Sequence, residues 1–199
     1  MRMDMRNFLE LKGNLIYLKK LDKEYLEQYW ENLSNCSIEA TVFTGTQQVF
    51  SKSDIERYLE DISEDRSRID FLIFSKESNE IVGEVVINDI FRNNRGANIR
   101  IIINRKEDFS KGYGSEAMIL ALNYGFGMLN LHRIELEVFP FNQRAIHVYE
   151  KIGFIREGIR RDGCFFNNKY YDMIIMSILE EEFREKYNYN KDLLKEFNN

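Results

Sequence analysis

Proline is almost missing from this chain of 199 residues, with Pro140 the single example, and glycine is sparse before Gly83. No Pro/Gly/Ser-rich linker divides the sequence and no internal repeat is visible. One domain is therefore expected over residues 1–179, followed by a charged tail of helical type over 180–199. Cysteine is confined to Cys36 and Cys164. Two thiols so far apart make neither a disulfide framework nor a Cys-x-x-Cys zinc pair, which suits a reducing cytoplasm, and no metal is expected. Both read as small apolar fillers. No apolar run approaches the ~20 residues of a membrane span. Arg2, Asp4, Arg6 and Glu10 interrupt the start of the chain, where a secretory leader needs an unbroken apolar core. An excess of positive charge is also lacking, since acidic residues outnumber Lys and Arg by 33 to 28, a formal charge of −5. Neither nucleic acid nor a membrane is an expected partner, and a cationic acceptor is the more natural one.

What the chain does have is a hydrophobic pattern that changes period along its length. Leu15 to Leu18 is a short run of strand type. Asp22 then stands as N-cap to a helix with Tyr25, Leu26, Tyr29 and Leu33 at helical spacing. Ser53 and Glu56 have capping-box spacing ahead of Ile55, Tyr58, Leu59 and Ile62, which predicts a second helix at about Asp54 to Ile62, with a polar loop between the two. Two β-type runs, Asp70 to Ser75 and Ile81 to Asp89, flank a hairpin-like Lys76 to Glu80, and Ala97 to Asn104 completes an antiparallel meander. From Gly112 to Leu129 the period becomes helical, with Ala117, Leu120, Ala121, Tyr124 and Met128 three or four apart. Ile134 to Phe139 is again a strand, Arg144 to Ile152 a helix, and Asn167-Asn168 the turn of a last hairpin. The sum is one mixed α/β domain.

The segment Ser110-Lys111-Gly112-Tyr113-Gly114-Ser115 sits at the junction of the Ile-rich strand and the long helix. Two glycines there let consecutive N–H groups turn toward a ligand, and the helix N-terminus adds about half a positive charge, so the junction suits phosphates. It is too short for a Walker A loop and lacks the third glycine of a dinucleotide fingerprint. Taken alone it equally describes a flexible loop capping a helix. A second motif lies downstream in Asn142, Ala145, Tyr149, Lys151, Gly153 and Phe154. Together they resemble the GNAT superfamily, in particular its RimJ/RimL-like branch and the related spermidine N-acetyltransferases. Phe109 to Gly114 matches that family's Gln/Arg-x-x-Gly-x-Gly/Ala loop, and the second set matches its Asn-x-x-Ala-x-x-x-Tyr-x-Lys-x-Gly-Phe stretch. The likeness covers roughly residues 70–179.

The resemblance implies a central, mostly antiparallel sheet, splayed at a coenzyme cleft and flanked by helices, and acetyl transfer from acetyl-CoA to a primary amine. It implies that the Ser110 to Ser115 amides (Ser110, Lys111, Gly112, Tyr113, Gly114 and Ser115) hold the coenzyme pyrophosphate. The backbone of Ile101, Ile102 and Ile103 would pair with the pantetheine arm on a bulged strand, with an N–H near Ile102 meeting the oxyanion. Asn142 would bond the pantetheine arm and Lys151 the phosphates, unless Lys151 is simply a solvated helix charge. Tyr149, at the start of the second motif's helix, would be the general acid, a role suited to a hydroxyl with a pKa near ~10. Two departures stand out: Phe109 replaces the usual Gln or Arg, and Asn98 stands where many RimJ/RimL-like sequences have Glu.

The base is open among Glu84, Glu135 and Glu137, each on a predicted strand. His132 and His147 have no Ser or Cys elbow nearby and read as packing or surface residues. The aromatic group Phe165, Phe166, Tyr170 and Tyr171 around the last turn reads as cross-strand pairing or as a border of the acceptor site or a dimer partner. Three functions follow. A polyamine acetyltransferase would use Glu31, Glu39, Glu56, Glu60 and Asp61 against its acceptor's charges. A RimJ/RimL-type enzyme would act on a protein N-terminus, or a relative on an antibiotic or amino-acid amine. The third is an acetyl-CoA sensor with weakened catalysis. The resemblance also implies a homodimer or higher homo-oligomer.

Overall fold

Phe71-Leu72-Ile73-Phe74 and Val85-Val86-Ile87 are apolar without alternation, the mark of strands covered on both faces. In the computed structural model, which describes residues 10–45 and 50–187, all seven of these side chains are buried. They lie on β3 (Ile69–Ser75) and β4 (Ile81–Phe91), which pair antiparallel. The other strands are β1 (Glu10–Lys12), β2 (Ile16–Lys20), β5 (Gly96–Ile103), β6 (Arg133–Val138), β7 (Ile155–Phe166) and β8 (Lys169–Leu179). They form one sheet in the order β1-β2-β3-β4-β5-β6-β8-β7. The pairing of β5 with β6 is parallel and covers only Gly96, Ala97 and Asn98, after which β5 runs on to Ile103. The mixed α/β class, the mostly antiparallel sheet and the flanking helices are as the sequence implies.

The helices are α1 (Leu26–Ser34), α2 (Ile38–Thr44), α3 (Lys52–Glu64), α4 (Tyr113–Gly127), α5 (Gln143–Ile152) and α6 (Glu180–Tyr187). Among the described residues none is long and apolar enough to cross a membrane. Several expectations are corrected. Asp22 makes no side-chain cap, and Lys23–Tyr25 forms a 3-10 turn before α1. The segment read as a polar loop contains α2, capped by Ser37 and ended by Gly45 at φ 68°. The capping box of α3 is Ser51 with Asp54, two residues earlier than Ser53 with Glu56, and the helix is longer at both ends. On α4 the fully buried positions are Ala117, Met118, Ala121, Leu122 and Phe126, while Met128 is exposed, so the inward stripe is rotated from the expected one. A helix apolar on nearly every side gives no sharp periodicity to read.

The chain divides into two compact units, residues 1–88 with 100–120, and 89–99 with 121–199. In the first, α1 and α3 pack Tyr29, Ile55 and Leu59 against Leu72, Phe74 and Ile81. Each such side chain withdrawn from water contributes about 1.5–3 kcal/mol. In the second, β6 and β8 pair from Arg133↔Leu179 to Val138↔Ile174, and β8 turns back to β7 through Asn167 and Asn168, both at positive φ, as a two-residue hairpin turn requires. Phe183 of α6 is fully buried, its ring 5.4 Å from that of Phe126. The remainder of the expected tail, 188–199, lies outside the described residues.

Candidate active site

In the first unit, β5 leads through the buried Asn104 into a 3-10 turn, Lys106–Asp108, and then into Ser110 to Gly112. Buried Asp108 accepts from Arg105 Nε at 2.8 Å and Lys111 Nζ at 3.1 Å, which fixes the turn and spends the Lys111 charge within the loop. The pairing holds the Lys111 ammonium above its ordinary pKa. Ser110 (φ 60°) and Gly112 (φ 89°) adopt left-handed backbone, the conformation that turns successive N–H groups to one side, directly ahead of the first turn of α4. Tyr113 is buried, with its hydroxyl 3.3 Å from Ser75 Oγ, so its side chain points away from solvent. A Cβ placed on Gly114 would make only ordinary contacts, 3.7 Å to Ile103 Cγ1 and 3.8 Å to Ile101 Cδ1. A methyl group would therefore fit at this position without a clash. Backbone donors turned by Ser110 and Gly112 ahead of a helix N-terminus fit a pyrophosphate.

Gly83 of β4 shows a second close approach in this unit, since a Cβ there would collide with the carbonyl oxygen of Ile102. An isolated glycine inside a strand pattern was the available signal. Next to it, buried Glu84 accepts from the Tyr29 hydroxyl at 2.5 Å, and Arg100 Nη2 lies 3.7 Å from its other oxygen. Burial, and then the Glu84 charge, push the Tyr29 hydroxyl well above its ordinary pKa. Tyr58 donates to Asp70 at 2.5 Å, and Arg68 bonds both carboxylate oxygens of Asp70. These partners are 55 residues apart for Tyr29 and Glu84, so no local pattern announces them.

In the second unit, Asn142 caps α5, its Oδ1 accepting from Ala145 N at 3.2 Å, and its amide nitrogen has no partner among the described residues. Tyr149 lies in the last turn of α5, not at its start. Its ring packs 5.8 Å from that of Phe154, and its hydroxyl has no hydrogen-bond partner among the described residues. Burial alone pushes this hydroxyl up to about 12, so it is a proton donor throughout the neutral range. Lys151 is exposed in the same turn, where a cation also suits the helix C-terminus. Glu135 is bonded to Arg133 at 2.7 Å and Glu137 to Arg160 at 2.5 Å. Asn98 donates to Asp89 Oδ2 at 2.9 Å.

His132 and His147 are exposed, and both cysteines are free and half-buried. Phe165 faces Tyr170 directly across the hairpin, rings 4.9 Å apart, whereas Tyr171 packs edge-on to Phe139 and Phe141. Among the described residues no group of three or more His, Cys, Asp or Glu is placed to hold a metal ion.

Residues 16–155 match the acetyltransferase (GNAT) domain. The chain belongs to the GNAT acetyltransferase family. It is 31% identical over 170 residues to spermidine N(1)-acetyltransferase of Escherichia coli K12, covering 84% of this chain and 88% of that one. Its fold is similar to that of the Vibrio cholerae spermidine N-acetyltransferase in complex with CoA and spermine, at a TM-score of 0.77 and 27% identity, over 86% of this chain and 99% of the other. A dodecameric structure of the Vibrio cholerae enzyme in an intermediate state matches at a TM-score of 0.73 and 26% identity, over 88% and 99% of the two chains. This GNAT enzyme is an acetyl-CoA-dependent N-acetyltransferase.

Proposed function

We propose that the amine acceptor is a polyamine of the spermidine class. The observation that carries this reading is the likeness to the spermidine enzyme of E. coli, which runs through most of both chains. The carboxylates on α1, α2 and α3 support it. Glu39 and Glu60 are engaged by Lys106 and Lys23, but Glu31, Glu56 and Asp61 are exposed and have no ion-pair partner among the described residues. Several free carboxylates on packed helices suit an acceptor with several ammonium groups.

Transfer needs a neutral amine, donors for the carbonyl oxygen, and a proton for the departing thiolate. In this reading Tyr149 gives that proton, and Ile102 supplies a backbone N–H to the oxygen. Glu84 takes the proton of the ammonium, directly or through water. Of the three candidate glutamates it alone is buried and not bonded to an Arg within 3 Å, Glu135 and Glu137 being held at 2.7 and 2.5 Å. Ser110 to Ser115 hold the pyrophosphate, Ile101 to Ile103 pair with the pantetheine arm, and Asn142 bonds it through the free amide nitrogen. Lys151 stands by for a phosphate. Residues 1–179 act as one acetyltransferase domain, in the cytoplasm, and the enzyme is a homo-oligomer, as the dodecameric relative suggests.

Release of free thiol from acetyl-CoA, followed across polyamines, amino acids, aminoglycosides and N-terminal peptides, tests the acceptor. Spermidine should be turned over and its product carry one added acetyl group. Turnover of peptides with none of spermidine would overturn the polyamine reading.

A further inference from the structure

Glu116 places a negative charge in the first turn of α4, beside the amides assigned to an anion. Turned toward them it would oppose a phosphate. Instead its carboxylate is taken up elsewhere in the same unit. Oε1 accepts from Asn14 N at 2.6 Å, and Oε2 from Leu15 N at 2.8 Å and Ile16 N at 2.9 Å. Three consecutive backbone amides of the turn between β1 and β2 thus cup one carboxylate. Bonds of an amide to an ionised group are about twice as strong as neutral ones.

The turn is shaped for this contact. A Cβ on Gly13 would lie 2.5 Å from Glu116 Cδ and 2.6 Å from Oε2, so a side chain there would evict the carboxylate. Gly13 N closes the turn on Ile16 O at 2.9 Å, while Lys76 donates to Gly13 O through Nζ and to Leu15 O through its backbone N–H at 3.0 Å. The turn therefore has fixed supports on both sides. What it carries to the cradle is Leu15, whose Cδ1 is 3.1 Å from where a Cβ of Gly112 would stand. Gly112 is the residue whose positive φ aims the amides, and its carbonyl accepts from Glu116 N at 3.0 Å.

We infer that Glu116 is a positioning residue for the coenzyme's phosphate groups: by clamping the β1–β2 turn it seats Leu15 over Gly112 and holds the cradle in its anion-binding shape. The inference rests on the acetyl-CoA reading of Ser110 to Ser115. Glu116 touches no reacting atom, so its loss acts on donor affinity and spares the chemical step.

The test pairs two donors, acetyl-CoA and S-acetylpantetheine, which lacks the phosphates, with calorimetric titration of CoA. In Glu116→Ala the Kd for CoA should rise roughly tenfold or more, the order expected for losing hydrogen bonds to a charged group. Glu116→Gln, which keeps one acceptor oxygen, should lie between. The KM for acetyl-CoA should rise with kcat unchanged, and kcat/KM for S-acetylpantetheine should stay at the wild-type value. Gly13→Ala attacks the same contact from the other side and should give the same pattern if Glu116→Ala does not fold. Equal losses with both donors, or an unchanged Kd for CoA, would overturn the inference. A wild-type protein that does not bind CoA would overturn the cradle reading with it, so the two failures are distinguishable.

Discussion

The cradle between β5 and α4 and the end of α5 that carries Tyr149 belong to different compact units and are built by opposite means. At the cradle the larger side chains are engaged within the protein: Lys111 with Asp108, Tyr113 beside Ser75, and the adjoining Glu116 with three amides. Backbone N–H groups and the small hydroxyls of Ser110 and Ser115 are what is left for a ligand. At Tyr149 the backbone is spent on a regular helix, and what is left is one half-buried tyrosine with an unpartnered hydroxyl among the described residues. Under the proposed function, coenzyme binding is thus spread over many backbone groups, while the proton for the departing thiolate comes from one side chain.

Changing Tyr149 should therefore have the largest effect. Tyr149→Phe is expected to lower kcat by about 10²-fold or more while leaving the Kd for CoA unchanged, measured by thiol release and calorimetry. Equal loss of both would break the contrast between the two regions. Because burial pushes the hydroxyl up to about 12, kcat/KM of the wild type should show no loss from Tyr149 deprotonation below about pH 10. A basic limb that disappears in Tyr149→Phe would contradict the shift.

At the cradle the expected changes are smaller and fall on affinity. Gly112→Ala puts a side chain on a left-handed backbone, at about 1–2 kcal/mol, and crowds Leu15. CoA affinity should fall by roughly tenfold, with the melting temperature lowered by a few degrees. Gly83→Ala should cost about 1–3 kcal/mol by overpacking against the Ile102 carbonyl, read as a shift in urea midpoint. If Ile102 N–H also serves the reaction, kcat falls with it.

The smallest effect concerns Glu157 on β7. Arg133 first, then Ser177, holds its carboxylate below the ordinary value of 4.5. A depressed carboxylate contributes stability above its unfolded pKa and loses it as pH falls through the folded one. The melting-temperature gap between wild type and Glu157→Gln should thus close on acidification below about pH 4.5. For a pair this exposed the whole effect is under ~1 kcal/mol and shrinks with added salt.

Legibility in the sequence followed the range of the interaction. β3 and β4 were readable because burial on both faces leaves unbroken apolar runs, and the last hairpin because two asparagines tolerate positive φ. The Gly-x-Gly spacing marked the cradle. Helix α2 was hidden because Thr41, Val42 and Thr44 are poor helix formers in a short segment, although Ser37 and Gly45 bracket it correctly. The sequence alone does not separate the Ser51 box of α3 from Ser53, two residues on, because both serines have an acid three positions later. The clamp of Glu116 on residues about 100 positions earlier has no local signature. Nor does the burial of Tyr149, which depends on packing rather than on its own segment. The role proposed for that tyrosine comes from the family likeness, because periodicity carries no chemistry.

The most direct test of the central claim is hydrogen exchange of the backbone amides, with and without CoA. The account predicts added protection at residues 111–115 with CoA and none there with pantetheine, since those amides are assigned to phosphate oxygens. Protection by CoA that leaves 111–115 unchanged, or equal protection by pantetheine, would contradict it.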